Sequence, residues 1–321
     1  MFDQSLDQPR PAADAGLGEF ALSEFAPAKI NLALHVVGQR ADGYHLLESI
    51  VTFVAHEASG GAAMGSPAGD RLDFALSASD AFSISGRFGV DLSPDPTAVQ
   101  QNLVLKARDL LRAALEAKGI AASPVAIHLE KNLPIASGIG GGSADAAAAL
   151  RGLSRLWNVK LTDPELSALA LSLGADVPMC LKSQPLGAKG IGEDITTLGT
   201  MPSFAIVLGN PLRGVSTPDI FRRLTQKNNP TIQPLTGDWR ADLTAARNDL
   251  EPPARSLVSE ISELSDIIAA EGAWLTRMSG SGATCFGLFD TSTKAAQAAA
   301  NLQRRRPDWY FVAAQTIGVH P

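Results

Sequence analysis

Only two cysteines, Cys180 and Cys285, occur in the 321 residues, too few for a disulfide framework and not in a C-x-x-C pair. A reducing cytoplasm is the simplest home they imply. The five histidines are scattered without metal-ligand spacing, so no resident metal centre is expected. No apolar run approaches the length of a transmembrane helix, which argues against a membrane role. Residues 1–18 have neither a basic start nor an apolar core and read as a disordered tail rather than a signal peptide. A basic excess is also missing: the formal charge of −6 argues against nucleic acid as a partner. What the chain does have is bulk, 45% of it hydrophobic, enough for a sizeable core and two domains.

Four glycines, Gly138, Gly140, Gly141 and Gly142, fall within five positions. Before them, 125–130 alternates apolar and polar residues with the period of a strand, and after them 144–156 is made of strong helix formers. Glycines let a ligand approach the backbone, and the next helical turn offers unpaired N–H groups and the positive end of its dipole. Phosphate is the natural occupant of such a junction. Ser143 suits the N-cap, where its hydroxyl would also serve a phosphate or a metal ion, and Asp145 in the first turn would complement the dipole. Lysine is absent between Gly138 and Leu150, which excludes an ordinary P-loop, and Ser143 stands where the dinucleotide fingerprint needs its third glycine. A flexible linker fits poorly between a clear strand and a clear helix.

The rest of the chain divides by its punctuation. Strands are expected over 20–25, 29–37, 49–54, 72–76 and 81–85, with Lys29 and Asn31 on one face of the second. The stretch 59–70, rich in small residues, reads as a mobile loop, and 102–117 as an amphipathic helix. Thr162, Asp163, Pro164 and Glu165 form a capping box that opens a helix ending at Gly174, and Asp176 follows directly. Farther on, a strand over 203–208, helices over 218–224 and 253–270, strands over 274–278 and 284–289, a helix over 293–304 and a strand over 309–316 make a β-α-β-β-α-β order, the ferredoxin-like unit. A boundary near 182–202, placed after 187, separates domains 19–187 and 188–321.

The glycine loop resembles the second motif of the GHMP small-molecule kinases, named for galactokinase, homoserine kinase, mevalonate kinase and phosphomevalonate kinase. Residues 27–45, with Lys29, Asn31 and the run Gly38-Gln39-Arg40-Ala41-Asp42-Gly43-Tyr44-His45, resemble the first motif in its diphosphocytidyl-methylerythritol form. Met278-Ser279-Gly280-Ser281-Gly282-Ala283 resembles the third. Family members often carry Gly in place of Ser137 and a second Ser in place of Ala144. The resemblance implies an α+β, two-domain GHMP kinase fold: an ATP-binding N-terminal ribosomal-protein-S5-domain-2-like α/β domain and a C-terminal ferredoxin-like domain.

Phosphoryl transfer asks a protein mainly to align its substrates and neutralise charge. The resemblance gives Asp176 the task of taking or orienting the attacking hydroxyl's proton, with Lys29 beside it; alone, Asp176 would read as a helix-ending surface carboxylate. ATP contacts are implied at Asn102, Lys131, Pro134, Ser137, Gly138, Gly140, Gly141, Gly142 and Ser143, with Mg2+ arriving on the nucleotide and Ser143 its candidate protein ligand. On the substrate side, Tyr44 and Phe221 would sandwich a cytosine, His45 would meet its edge and Asn31 would hold erythritol hydroxyls, with Gly280 and Gly282 nearby. The implied reaction is phosphorylation of the 2-hydroxyl of 4-diphosphocytidyl-2-C-methyl-D-erythritol, a step of non-mevalonate isoprenoid precursor synthesis, by a cytoplasmic monomer or homodimer. A homoserine- or mevalonate-type kinase of the same family would not need the Tyr-His pair, and a non-catalytic phospho-ligand binder would lose Lys29 or Asp176. A translation-factor-like domain is disfavoured by the acidic balance.

Overall fold

A computed structural model describes residues 20–56, 68–92 and 101–319; the expected tail and most of the expected loop over 59–70 lie outside them. The strands and helices are β1 (Leu22–Pro27), β2 (Lys29–Gln39), β3 (His45–Phe53), β4 (Gly69–Leu76), β5 (Ala81–Ser85), α1 (Leu103–Glu116), β6 (Val125–Glu130), α2 (Gly141–Leu156), α3 (Asp163–Leu173), α4 (Val177–Lys182), β7 (Leu186–Gly190) and β8 (Asp194–Thr197). The second half continues with β9 (Ala205–Asn210), α5 (Thr217–Arg222), α6 (Trp239–Ala245), α7 (Glu251–Leu257), α8 (Glu260–Ala270), β10 (Leu275–Met278), β11 (Cys285–Phe289), α9 (Ser292–Arg305) and β12 (Tyr310–Gln315). Among the described residues no helix is long and apolar enough to cross a membrane.

Among the described residues the strands form three four-stranded sheets, ordered β1-β4-β6-β5, β2-β3-β7-β8 and β10-β11-β9-β12. Among the named strands of the described residues, only β5 and β6 pair in parallel. The first sheet packs on α2, a helix whose Ala144, Ala146, Ala147, Ala148 and Ala149 are all buried because sheet, α1 and α4 surround it. Small side chains allow that close approach; at Gly152 a Cβ would stand 2.4 Å from the Phe74 ring. The third sheet has the ferredoxin-like order, and its strands alternate between two cores. Ala205 and Val207 of β9 face α8 and α9, whereas Ile206 and Leu208 join Ile30 and Leu32 of β2 in a core shared by the two halves. A bulge in β2 after Asn31 swings its later residues, Leu34 and Val36, into the core of the second half.

Three local expectations need correction. The helix after the glycine loop starts at Gly141 and is capped by Gly140 at φ +66°, so Ser143 is not its N-cap and Asp145 lies beyond the first turn. Four glycines in a row of five can enter helical geometry earlier than the side-chain pattern suggests, since glycine alone takes the left-handed turn at no steric cost. The helix expected over 253–270 is two helices, broken where Val258 turns extended. A division after residue 187 cuts β7, which pairs with β3 from Leu186 to Gly190; sheet continuity carries the first half to Thr197.

Candidate active site

Strand β2 begins with Lys29, whose amide donates to Ile139 O (2.9 Å) and whose side chain lies along Gly140. A Cβ at Gly140 would stand 3.2 Å from Lys29 Cβ, so the loop and the lysine are packed without a gap. The ammonium ends 2.7 Å from Asp176 Oδ2. The Lys29 side chain is 5% exposed and that of Asp176 is 42%, so the lysine is rooted in the protein while the carboxylate faces open space. Asp176 occupies the N-cap position of α4 but makes no side-chain capping bond there, which leaves its oxygens for Lys29 and a ligand. Sequence reasoning found the helix end at Gly174 and missed α4, a six-residue helix with Pro178 in its first turn.

Glycine is required where two motifs interlock. Gly138 sits at φ +76°, and a Cβ there would be 2.5 Å from Ser279 O; Gly280, at φ +56°, would put its own 2.6 Å from Gly138 O. Ser279 joins all three motifs, its hydroxyl accepting from Asn31 N (3.1 Å) and donating to Gly138 O (3.1 Å). Thr284 N donates to Ser137 O (3.1 Å). Asn248, which no sequence signal singled out, donates its buried amide to Met278 O (2.7 Å) and Gly280 O (2.8 Å) and so fixes the third loop.

These elements enclose a cleft of about 420 Å³. Lys29, Asp176, Asn102, Lys131, Pro134, Ser137, Gly138, Gly140, Gly141, Gly142, Ser143 and Gly280 all line it, together with Thr217 and Ser281, which the sequence did not flag. Gly282 stands one layer back, with its backbone against Gly138. Asn31 is buried, and its Oδ1 has no hydrogen-bond partner among the described residues. Two expected nucleotide contacts have other work: the Ser137 hydroxyl donates to Pro134 O (2.7 Å), and Asn102 Oδ1 caps α1 by accepting from Val104 N (2.9 Å). Lys131 is buried between Asp70 and Asp145, the latter at 2.7 Å. Burial opposes its charge, but the two carboxylates outweigh that and raise its pKa. Burial, helped by Asp70, pushes Asp145 well above the usual carboxylate range against the pull of Lys131.

A second pocket, of about 600 Å³, opens on the other side of α5 and is lined by Tyr44, His45, Phe221, Lys227 and Gln39 among others. Here the structure departs from the expected sandwich. The ring on Phe221 is His45, stacked at 4.8 Å between centroids and 23° between planes, while Tyr44 is 61% exposed. Burial, followed by the nearby Lys227, lowers the His45 pKa from its ordinary 6.5. Helix α5 separates the two pockets: Thr217 faces the first, Pro218 and Phe221 the second. The Thr217 and Ser281 hydroxyls, 2.7 Å apart, tie it to the third motif.

The chain matches the GHMP kinases N terminal domain over residues 102–184 and the GHMP kinases C terminal domain over residues 235–308. It is 60% identical over 302 residues to the 4-diphosphocytidyl-2-C-methyl-D-erythritol kinase of Rhizobium johnstonii, covering 92% of this chain and 94% of that one. To the protein of the same name from Rhizobium leguminosarum bv. trifolii it is 58% identical over 310 residues, with 95% and 98% covered. A crystal structure of 4-(cytidine 5'-diphospho)-2C-methyl-D-erythritol kinase superposes with a TM-score of 0.73 at 31% identity, over 92% of this chain and 99% of that chain.

Proposed function

This chain belongs to the GHMP kinase family, and we propose that it transfers the γ-phosphoryl group of ATP to the 2-hydroxyl of 4-diphosphocytidyl-2-C-methyl-D-erythritol. The observation that carries this reading is the Lys29–Asp176 pair in the same cleft as the N-terminus of α2. Such a helix end binds phosphates through its unpaired N–H groups, here those of Gly141, Gly142 and Ser143. A hydroxyl brought against Asp176 would give its proton to, or be oriented by, the carboxylate, while Lys29, bonded to that carboxylate, would favour the developing alkoxide. The unpartnered Oδ1 of Asn31 is suited to accept from a substrate hydroxyl, which would settle its buried, unsatisfied state.

The aromatic pocket fits the other end of the substrate. A base entering beside Phe221 would displace or join His45, with the exposed Tyr44 ring free to close over it. Magnesium would arrive with ATP. Among the described residues no group of three or more His, Cys, Asp and Glu side chains could cage a metal. The Ser143 hydroxyl beside nucleotide phosphates is the kind of sparse oxygen set that Mg2+ accepts. When bound, the ion neutralises charge on the transferred phosphoryl group. A coupled ATPase assay against the cytidyl substrate, its uridyl analogue, homoserine and mevalonate tests the proposal. Turnover confined to the cytidyl compound is the expected result, and preferred turnover of any other overturns it.

A further inference from the structure

Lys131 and Asp145 are fourteen positions apart, and everything between them is the glycine loop with the first turn of its helix. Their ion pair therefore closes the base of the phosphate-binding loop. Asp70, from the start of β4, completes the closure: its Oδ2 accepts from Lys131, and its Oδ1 accepts from the amides of Asn132 (2.6 Å) and Leu133 (2.8 Å), the first two residues of the loop. Asp70, Lys131 and Asp145 are at most 3% exposed. The lysine ammonium lies directly behind the first helical residue, since a Cβ on Gly141 would be 3.1 Å from Nζ.

We propose that Asp145 is a positioning residue for ATP, acting through Lys131 as a buried clasp that holds the phosphate loop closed before the nucleotide arrives. The proposal rests on the kinase reading above and deepens it. Ordering a loop of this length costs conformational entropy, and a loop already closed in the free protein spares the ligand that cost. The clasp also explains why a lysine lining a phosphate cleft is not left free to reach a phosphate: its ammonium is held by two carboxylates, Asp70 behind the loop and Asp145 on the same cleft wall. Asp145 is the member of the trio that accepts a single bond, because its other oxygen has no partner among the described residues. Asp70 is tied three ways and anchors the group.

That asymmetry dictates the experiment. Replacing Lys131 would strand two buried carboxylates and threaten the fold. Replacing Asp145 leaves Lys131 paired with Asp70. Asp145→Leu has nearly the same shape and accepts nothing; Asp145→Asn keeps an oxygen for Lys131. Calorimetry with the non-hydrolysable imido analogue of ATP, together with steady-state kinetics, separates the cases. Asp145→Leu is expected to weaken analogue binding by about tenfold and to raise the KM for ATP to match, within the range of coupling between contacting residues. Its kcat at saturating ATP and its KM for the cytidyl substrate stay near the wild-type values, and Asp145→Asn recovers most of the loss. Wild-type affinity in Asp145→Leu, equal weakening by Asn and Leu, or equal loss of both substrates would each overturn the clasp. A wild-type protein that binds the analogue but ignores the cytidyl compound would overturn the substrate assignment and leave the clasp standing.

Discussion

The two ends of the site are made of different materials. At the phosphate end the ligand would meet backbone: interlocked glycines at positive φ, carbonyls and amides already bonded to one another, and a lysine packed flat on the loop. At the base end it would meet side chains, an exposed tyrosine, a histidine lying on a phenylalanine and a lysine whose partner is the neutral Gln39. Backbone geometry cannot be altered at one position without disturbing its neighbours, whereas a ring can be exchanged alone. On the proposed reading, the phosphate end is therefore set for one chemistry, and the base end is where a kinase of this fold would acquire its substrate.

The sharpest way to break that comparison is at the reacting pair. Asp176→Asn and Lys29→Ala should each lower kcat by about two or more orders of magnitude, as loss of a general acid–base group does, with folding intact by circular dichroism. Near-normal turnover in either folded variant would remove the pair from the mechanism. Next is the loop. Gly138→Ala should cost roughly 1–3 kcal/mol of stability in a denaturant titration and weaken ATP, because the new Cβ meets Ser279 O at a strained dihedral. Gly43→Ala, at φ +92° beside the base pocket but with nothing within 4 Å of its Cβ, should cost less. Equal losses would mean that the interlock of Gly138 and Gly280 is not what demands glycine.

Tyr44→Ala should weaken the cytidyl substrate by roughly 1–3 kcal/mol through lost stacking and leave ATP affinity and stability near wild type, since the ring is exposed. His45→Ala should erode the preference for cytosine over uracil, because discrimination comes from matching donors and acceptors on the base edge. An unchanged KM in Tyr44→Ala would misassign the pocket. The smallest effect concerns pH. His35, on the strand leading to the base end, is bonded through Nδ1 to Pro230 O (3.0 Å) and accepts Arg247 N at Nε2 (3.2 Å), which only the neutral ring can do. Burial, foremost among its influences, lowers its pKa from 6.5. The unfolded chain then binds the proton more readily, so this stability is fully present above about pH 6.5 and is lost as pH falls through the lower folded value. Thermal midpoints at pH 7.5 and 5.5 should differ less in His35→Gln than in wild type.

The sequence made some of this legible and concealed the rest for physical reasons. Period and capping are local signals, so β5, β6 and the Thr162 capping box were read in full. Lys29 and Asp176 carry no local signature of catalysis; 147 positions apart, they became visible through motifs whose spacing the fold converts into contact. Asp145 was misread because its partners, Asp70 and Lys131, lie on other elements, and a carboxylate near a helix start looks like a dipole partner until its burial is known. The His45–Phe221 stack joins a strand to α5, again a contact that periodicity does not encode.

The two-faced third sheet bears on how the chain matures. Ile30 and Leu32 of β2 leave the ribosome early, but the surface that covers them includes Ile206 and Leu208 of β9 and Tyr310, Val312 and Ala314 of β12. Until residue 314 has been synthesised, the nascent first half carries an uncovered apolar flank. Its completion is therefore a late docking step, and a truncation in β12 would expose a sticky surface on both halves at once.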